Sequence, residues 1–276
     1  SSAAAAITKQ LDSVTSSASG AKRPLSVFTG GSSASSTAPL AKVFATAPTA
    51  LKDVATTSST VDVNPAPSVA ATAPDPADAV QTPYGAIGKW LIQPGGGVSE
   101  WGGQPYMGKT LVEPINVIIV DPTSTSPEES TNKLNRDMTL AGFPAQPIHS
   151  TGFMGMINGD AYGQQPTGDE QAFSDNLFFL PNDHARAFGP APLPNTNGQQ
   201  GYVWTVAAST ETPGIYNGAL THSYVSYNLA RDILVLRLLL TGQATFVGYV
   251  PMNNEYNTDT ETTGDHDGYA IVLKLR

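Results

Sequence analysis

The chain contains no cysteine. That excludes disulfides, thiolate nucleophiles and every zinc or iron–sulfur site built on sulfur. Charge is scarce as well: Asp, Glu, Lys and Arg make up 13% of 276 residues, roughly half the share common in soluble globular proteins. Lys and Arg number 14 against 23 Asp and Glu, a formal net charge of −9. A nucleic-acid partner needs clustered basic residues to displace counterions, so none is expected. Long apolar runs are missing too. Ile233 to Val250 is broken by Arg237, Gly242 and Gln243, short of the roughly 18 to 20 apolar residues of a membrane span. It fits a buried helix followed by a strand, and no transmembrane segment is expected.

The first 80 residues lack aromatics, with only Phe28 and Phe44, while 50 of them are Ala, Ser, Thr or Pro. The core must therefore lie downstream. Residues 1–82 read as a low-complexity arm, with a possible short helix at 3–18 whose Ile7, Leu11 and Val14 share one face. Proline at 24, 39, 48, 65, 67, 74 and 76 keeps the rest extended. Scattered Val and Phe side chains, Phe28 and Phe44 among them, suit an arm that orders on a surface, either a protein partner or a second copy. The small residues Ser1-Ser2-Ala3-Ala4 match the surroundings of an export cleavage site as well as an ordinary chain start.

Residues 83–276 carry the periodic signals. Pro114 to Asp121 is β-branched and nearly all apolar, as a strand covered on both faces must be. Ser126-Pro127-Glu128-Glu129 then gives an N-cap, a proline at the first helical position and acids in the first turn, with the helix ending by Gly142. A second strand and helix follow at Gly201–Thr210 and Ser226–Leu240, and Asn176–Leu180, Thr245–Val250 and Tyr269–Leu275 read as further strands. The order is βαββαβ plus one extra strand, which predicts an α+β domain of the ferredoxin-like, split-βαβ sandwich type.

Several stretches carry a family resemblance. Pro114–Asp121, Asn182-Asp183-His184-Ala185-Arg186-Ala187-Phe188, Val203–Ser209, Thr221-His222-Ser223-Tyr224 and Ala230-Arg231-Asp232 resemble the C-terminal domain of LssY-type proteins. Asp75–Val80 and Ala141–His149 are similar to stretches of uncharacterised envelope proteins of mycobacteria and related actinobacteria. The resemblance implies an exported protein of the cell envelope and brings no settled activity. LssY-type domains commonly pair two histidines where this chain has Thr221-His222.

Candidate sites are few. His149, His184 and His222 could hold a divalent metal through neutral imidazole nitrogens, with Asp183 as a carboxylate ligand or orienting partner. The alternative is structural, with Asp183 orienting His184 and Arg186 pairing with an acid on a neighbouring strand. Asp259, Glu261, Asp265 and Asp267 form an oxygen-rich, calcium-like loop without the spacing of a calcium-binding hand; a solvated hairpin loop explains it as well. Tyr84, Trp90, Trp101 and Tyr106 lie among glycines as either a stacking surface for sugars or partners, or the cover of a sheet edge. Serine hydrolysis lacks a G-x-S-x-G elbow, and Gly95-Gly96-Gly97 lacks the lysine of a phosphate loop. Two functions follow as expectations. One is a noncatalytic envelope protein that assembles through residues 1–82, needing no cofactor; the other is a metal-dependent hydrolase acting on an envelope glycan or lipid.

Overall fold

The computed structural model describes residues 66–168, 171–194 and 200–276. The helix expected at 3–18 and the anchors Phe28 and Phe44 lie outside the described residues. Among the described residues fourteen strands and two helices are formed: β1 (Ala79–Thr82), β2 (Gly85–Gly88), β3 (Thr110–Leu111), β4 (Val117–Asp121), α1 (Pro127–Leu140), β5 (Ala145–Gln146), β6 (Met154–Ile157), β7 (Asp160–Gln165), β8 (Ala172–Ser174), β9 (Asn182–Pro192), β10 (Tyr202–Tyr216), β11 (Ala219–Ser226), α2 (Tyr227–Leu240), β12 (Ala244–Pro251), β13 (Glu261–Thr262) and β14 (Tyr269–Leu275).

The expected ferredoxin-like α+β sandwich is not what these elements build. The described residues are mostly β, with a barrel-like mixed path of nine strands, β1-β2-β6-β7-β9-β10-β4-β14-β12. The short strands β6 and β7 are not among the expected elements: β6 is four residues long with a glycine among them, and β7 is mostly glycine and polar residues without an apolar alternation. β9 falls on a stretch where no strand is expected, because Asp183, His184 and Arg186 interrupt its apolar pattern. Conversely, the expected strand at Asn176–Leu180 is a turn segment ahead of β9.

Both helices form as their caps dictate. Ser126 accepts from the Glu129 amide and Ser226 from the Leu229 amide, each satisfying a donor that the first turn leaves open. Their apolar stripes cover one face of the sheet, where Leu134, Met138, Leu234 and Leu238 pack with Val117, Ile119, Trp204, Val206 and Leu273. On the other face Ile118, Val120, Phe188, Val203 and Val272 pack with Ile87, Leu91 and Ile157 from the β1, β2 and β6 region. Two-residue alternation thus assigns every residue of the central strands to one layer or the other. Ahead of position 83, β1 pairs with β2, and Ser68 hydrogen-bonds with Asn253. Among the described residues no helix is long and apolar enough to cross a membrane.

Candidate metal centre

The site lies on the face of β9 and β10 opposite the helices. Ala185 and Ala187 of β9 point into the helix-side core, so alternation sends His184 and Arg186 the other way. On β10, Ser209 is the cross-strand partner of His184, and a bulge follows between Thr210 and Glu211. β10 then turns back into β11 through Asn217-Gly218, both at positive φ, the Asn-Gly geometry that suits a two-residue hairpin. That register sets His222 opposite Pro213, on the same face as Glu211. The loop before β6 supplies His149.

Four side chains meet there, all buried: His149, His184, Glu211 and His222. Ligand atoms of His149, His184 and Glu211 lie within 4.8 Å of one another, the one group of three or more such residues among the described residues. Tetrahedral donors about 2.1 Å from one ion stand about 3.4 Å apart, so an ion would draw these atoms together from separations of up to 4.8 Å. His222 Nδ1 makes a close ion-pair contact with Glu211 Oε1, and His184 Nδ1 stands 3.4 Å from the same oxygen.

Proton positions follow from the partners. His149 Nδ1 faces two carbonyls, Pro147 O at 3.0 Å and Gln146 O at 3.3 Å. Carbonyls only accept, so Nδ1 carries the hydrogen and Nε2 presents a lone pair. That Nε2 is buried without a hydrogen-bond partner. His222 Nε2 lies 2.6 Å from Phe178 O, which likewise puts the hydrogen on Nε2 and turns Nδ1 toward Glu211. A bare Nδ1 would set a lone pair against a carboxylate, so a proton or a metal ion must lie between them. His184 Nε2 meets the Arg186 guanidinium at 3.0 Å, and because arginine only donates, neutral His184 carries its hydrogen on Nδ1, toward Glu211.

Electrostatics point the same way. Burial pushes His149 down, and it pushes His184 down to about 3; both are neutral imidazoles, the form that ligates metal. Burial alone would raise Glu211, but His184 and His222 draw it down to about 2, so it is an anion. Glu113 is raised by burial and accepts from Ser99 Oγ at 2.6 Å. Arg186, which interacts with both carboxylates, is the fixed cation of the group, and its guanidinium also donates to Ser150 O and lies over Phe153. Full ionisation of both acids leaves a buried negative charge, which requires a proton or a metal ion.

Of the residues singled out from sequence, the fold brings His149, His184 and His222 together but not Asp183. Asp183 faces the helix side, accepts from Thr210 Oγ1 and is pushed by burial to about 6. Neighbours on a strand point to opposite faces, so it can neither ligate with His184 nor orient it; Glu211 takes the carboxylate's place. The strand ending expected at Thr210 fell one residue short of it. Carrying the alternation on through Ser209, Glu211 and Pro213 would have found it.

The calcium-like loop does not converge. Asp265 accepts from Tyr224, Ser226 and the Tyr227 amide, Asp267 grips Arg231 with both oxygens, Glu261 belongs to β13, and Asp259 is exposed. The aromatics are structural cover. Trp90 is fully buried and donates to Asp78, Tyr84 packs against the core, and Trp101 and Tyr106 sit edge-on to Tyr224. Trp101 also donates to His222 O at 3.2 Å, so it braces the strand that carries His222. No family model, curated protein or solved structure matches the chain.

Proposed function

We propose that the protein binds one divalent transition-metal ion through His149 Nε2, His184 Nδ1 and a Glu211 carboxylate oxygen, and that it is a metal-dependent hydrolase. The observation that carries this reading is His149 Nε2, buried without a hydrogen-bond partner in a residue whose ligand atom lies within 4.8 Å of those of Glu211 and His184. An all-nitrogen-and-oxygen donor set suits zinc, iron or manganese. Three protein donors leave a coordination position for water, whose acidity the ion would raise. His149 is held as metal ligands usually are, by hydrogen bonds from its other ring nitrogen to backbone carbonyls. His184 would move its proton from Nδ1 to Nε2 on binding; Nε2–H would then donate to Ser209 Oγ at 3.3 Å, and the Arg186 guanidinium, which donates to Nε2 at 3.0 Å, would have to turn away. His222 would pair with Glu211 beside the ion.

Two further observations support the reading. Ile148, just before His149, has φ 67, an unfavourable conformation for a β-branched residue; such strain concentrates at functional sites. The stretches that resemble LssY-type domains contribute His184, Arg186 and His222. On that resemblance and the scarcity of charge, we place the activity in the cell envelope of an exported protein. Assembly through residues 1–82 rests mainly on residues 1–65, outside the described residues, and gives the site no support.

Titration of chelator-stripped protein with Zn(II), followed by calorimetry, should give one equivalent bound, with affinity about a hundredfold weaker in His149→Ala and Glu211→Gln. Asp183→Asn should bind as the wild type does. A wild type that takes up no metal, or variants that bind it equally well, would overturn the assignment. Hydrolysis of nitrophenyl esters should disappear with chelation and return with the ion.

A further inference from the structure

The segments that carry this site, and the loop next to it, also present apolar side chains, its rim. Phe178 lies directly on the site, its ring 3.9 Å from that of His222 and edge-on to His149 at 5.9 Å. Its neighbours Leu177, Phe179 and Leu180, together with Ile148 beside His149, are 40–55% exposed. The face that carries Glu211 and His222 continues along the hairpin to the cross-strand pair Ile215 and Leu220, 75% and 63% exposed. Six large apolar side chains, on or next to the segments that bear the four buried polar ones, therefore stand in water. Isolated exposed apolar residues need no explanation, but a contiguous group beside a polar centre marks a binding surface.

The chemistry of the rim narrows what it binds. The segment Asn176-Leu177-Phe178-Phe179-Leu180-Pro181 carries no charge. The two acids that flank it are engaged elsewhere, Asp175 with Arg237 at 3.1 Å and Asp183 with Thr210. The six exposed side chains of the rim, among the described residues, offer no charge to pair with a charged group, and a net charge of −9 repels anions. An uncharged chain loses nothing there and gains by covering exposed Leu, Ile and Phe.

Resting on the metal assignment above, we infer that the ligand of this site is an alkyl or acyl chain attached to a polar head, the head meeting the metal and the chain lying against Ile148, Leu177, Phe179 and Leu180. Phe178 must shift for the head to enter. Because its carbonyl accepts from His222, that movement reaches the side chain paired with Glu211.

Alkyl hydroxamates of increasing length are the probe, binding being followed by the visible spectrum of the Co(II)-loaded full chain. Affinity should rise at least about tenfold from the acetyl to the octanoyl compound, a fraction of the full-burial value of about fourfold per methylene. The exposed-site double variant Phe179→Ser/Leu180→Ser should abolish that rise and leave acetohydroxamate binding unchanged. Metal bound with no dependence on chain length overturns this inference and leaves the metal centre standing. Absence of metal would overturn the metal centre; the rim is then judged by uptake of the uncharged dye N-phenyl-1-naphthylamine, which n-alkanols should displace and the double variant should lose. Undiminished dye uptake in that variant would overturn the chain site. So would a concentration-dependent dimer dissolved by the double substitution, which would assign the face to a second copy.

Discussion

His184 and His266 are imidazoles that burial holds neutral, each pushed down to about 3. Asn254 Nδ2 donates to Lys89 O and Ile115 O, which leaves Asn254 Oδ1 to accept from His266 Nε2 at 2.8 Å. His266 Nδ1 is buried without a partner, so a second proton would enter with nothing to receive it. The unfolded chain takes up that proton near 6.5, whereas the folded chain resists it down to about 3. Between those values the unfolded state binds more protons, so stability is complete above 6.5 and falls as pH drops, by about 1.4 kcal/mol per unit for one such group. Asp183, raised from 3.8 to about 6, works in the opposite sense: its contribution is present below 3.8 and is lost as pH rises through 6. The difference between variants isolates the histidine. His266→Gln, whose amide can still donate to Asn254, should lower the slope of urea stability between pH 6 and 4 by about one proton's worth; an unchanged slope would show that His266 does not titrate with folding.

At the scale of elements, the two helices have the same cap residue with different obligations. Ser126 only accepts from the Glu129 amide, at 3.1 Å. Ser226 accepts from Leu229 N at 2.8 Å and also donates to Asp265, which in turn receives Tyr224 and the Tyr227 amide. An exposed cap replaced by alanine costs about 1 kcal/mol. Removal of a donor from a partly buried carboxylate adds a further penalty of about 1 kcal/mol. Ser126→Ala should therefore lower the unfolding free energy by about 1 kcal/mol and Ser226→Ala by about 2 kcal/mol in urea titrations. Equal losses would mean that Asp265 is satisfied without Ser226. The β10 and β11 hairpin shows why elements matter to the site, since its Asn217-Gly218 turn fixes the register that places His222 near Glu211.

For the whole molecule, the three proposed ligands come from a loop before β6, from β9 and from β10, segments that meet only in the folded state. An ion that binds them stabilises the fold by mass action, about 2.7 kcal/mol at a free concentration a hundredfold above its dissociation constant. Zn(II) should raise the urea midpoint of the wild type accordingly, EDTA should reverse the rise, and Glu211→Gln should show none of it. A midpoint that ignores zinc would contradict the site independently of any assay of activity.

Much of this was determined by the sequence alone. The helices at Pro127–Leu140 and Tyr227–Leu240 and the strands β4, β12 and β14 were legible because caps and apolar periodicity are local signals. The histidines were legible as candidates, since few other side chains in a cysteine-free chain ligate soft or borderline metals. What the tertiary structure decided was which carboxylate they meet. Asp183 adjoins His184 in sequence but faces the opposite layer, whereas Glu211 lies 27 residues from His184 and reaches it across a strand pair. The overall architecture escaped the same way. Strand pairing is a long-range choice, and in β6, β7 and β9 a buried polar or glycine residue is made acceptable only by partners that the sequence brings from elsewhere.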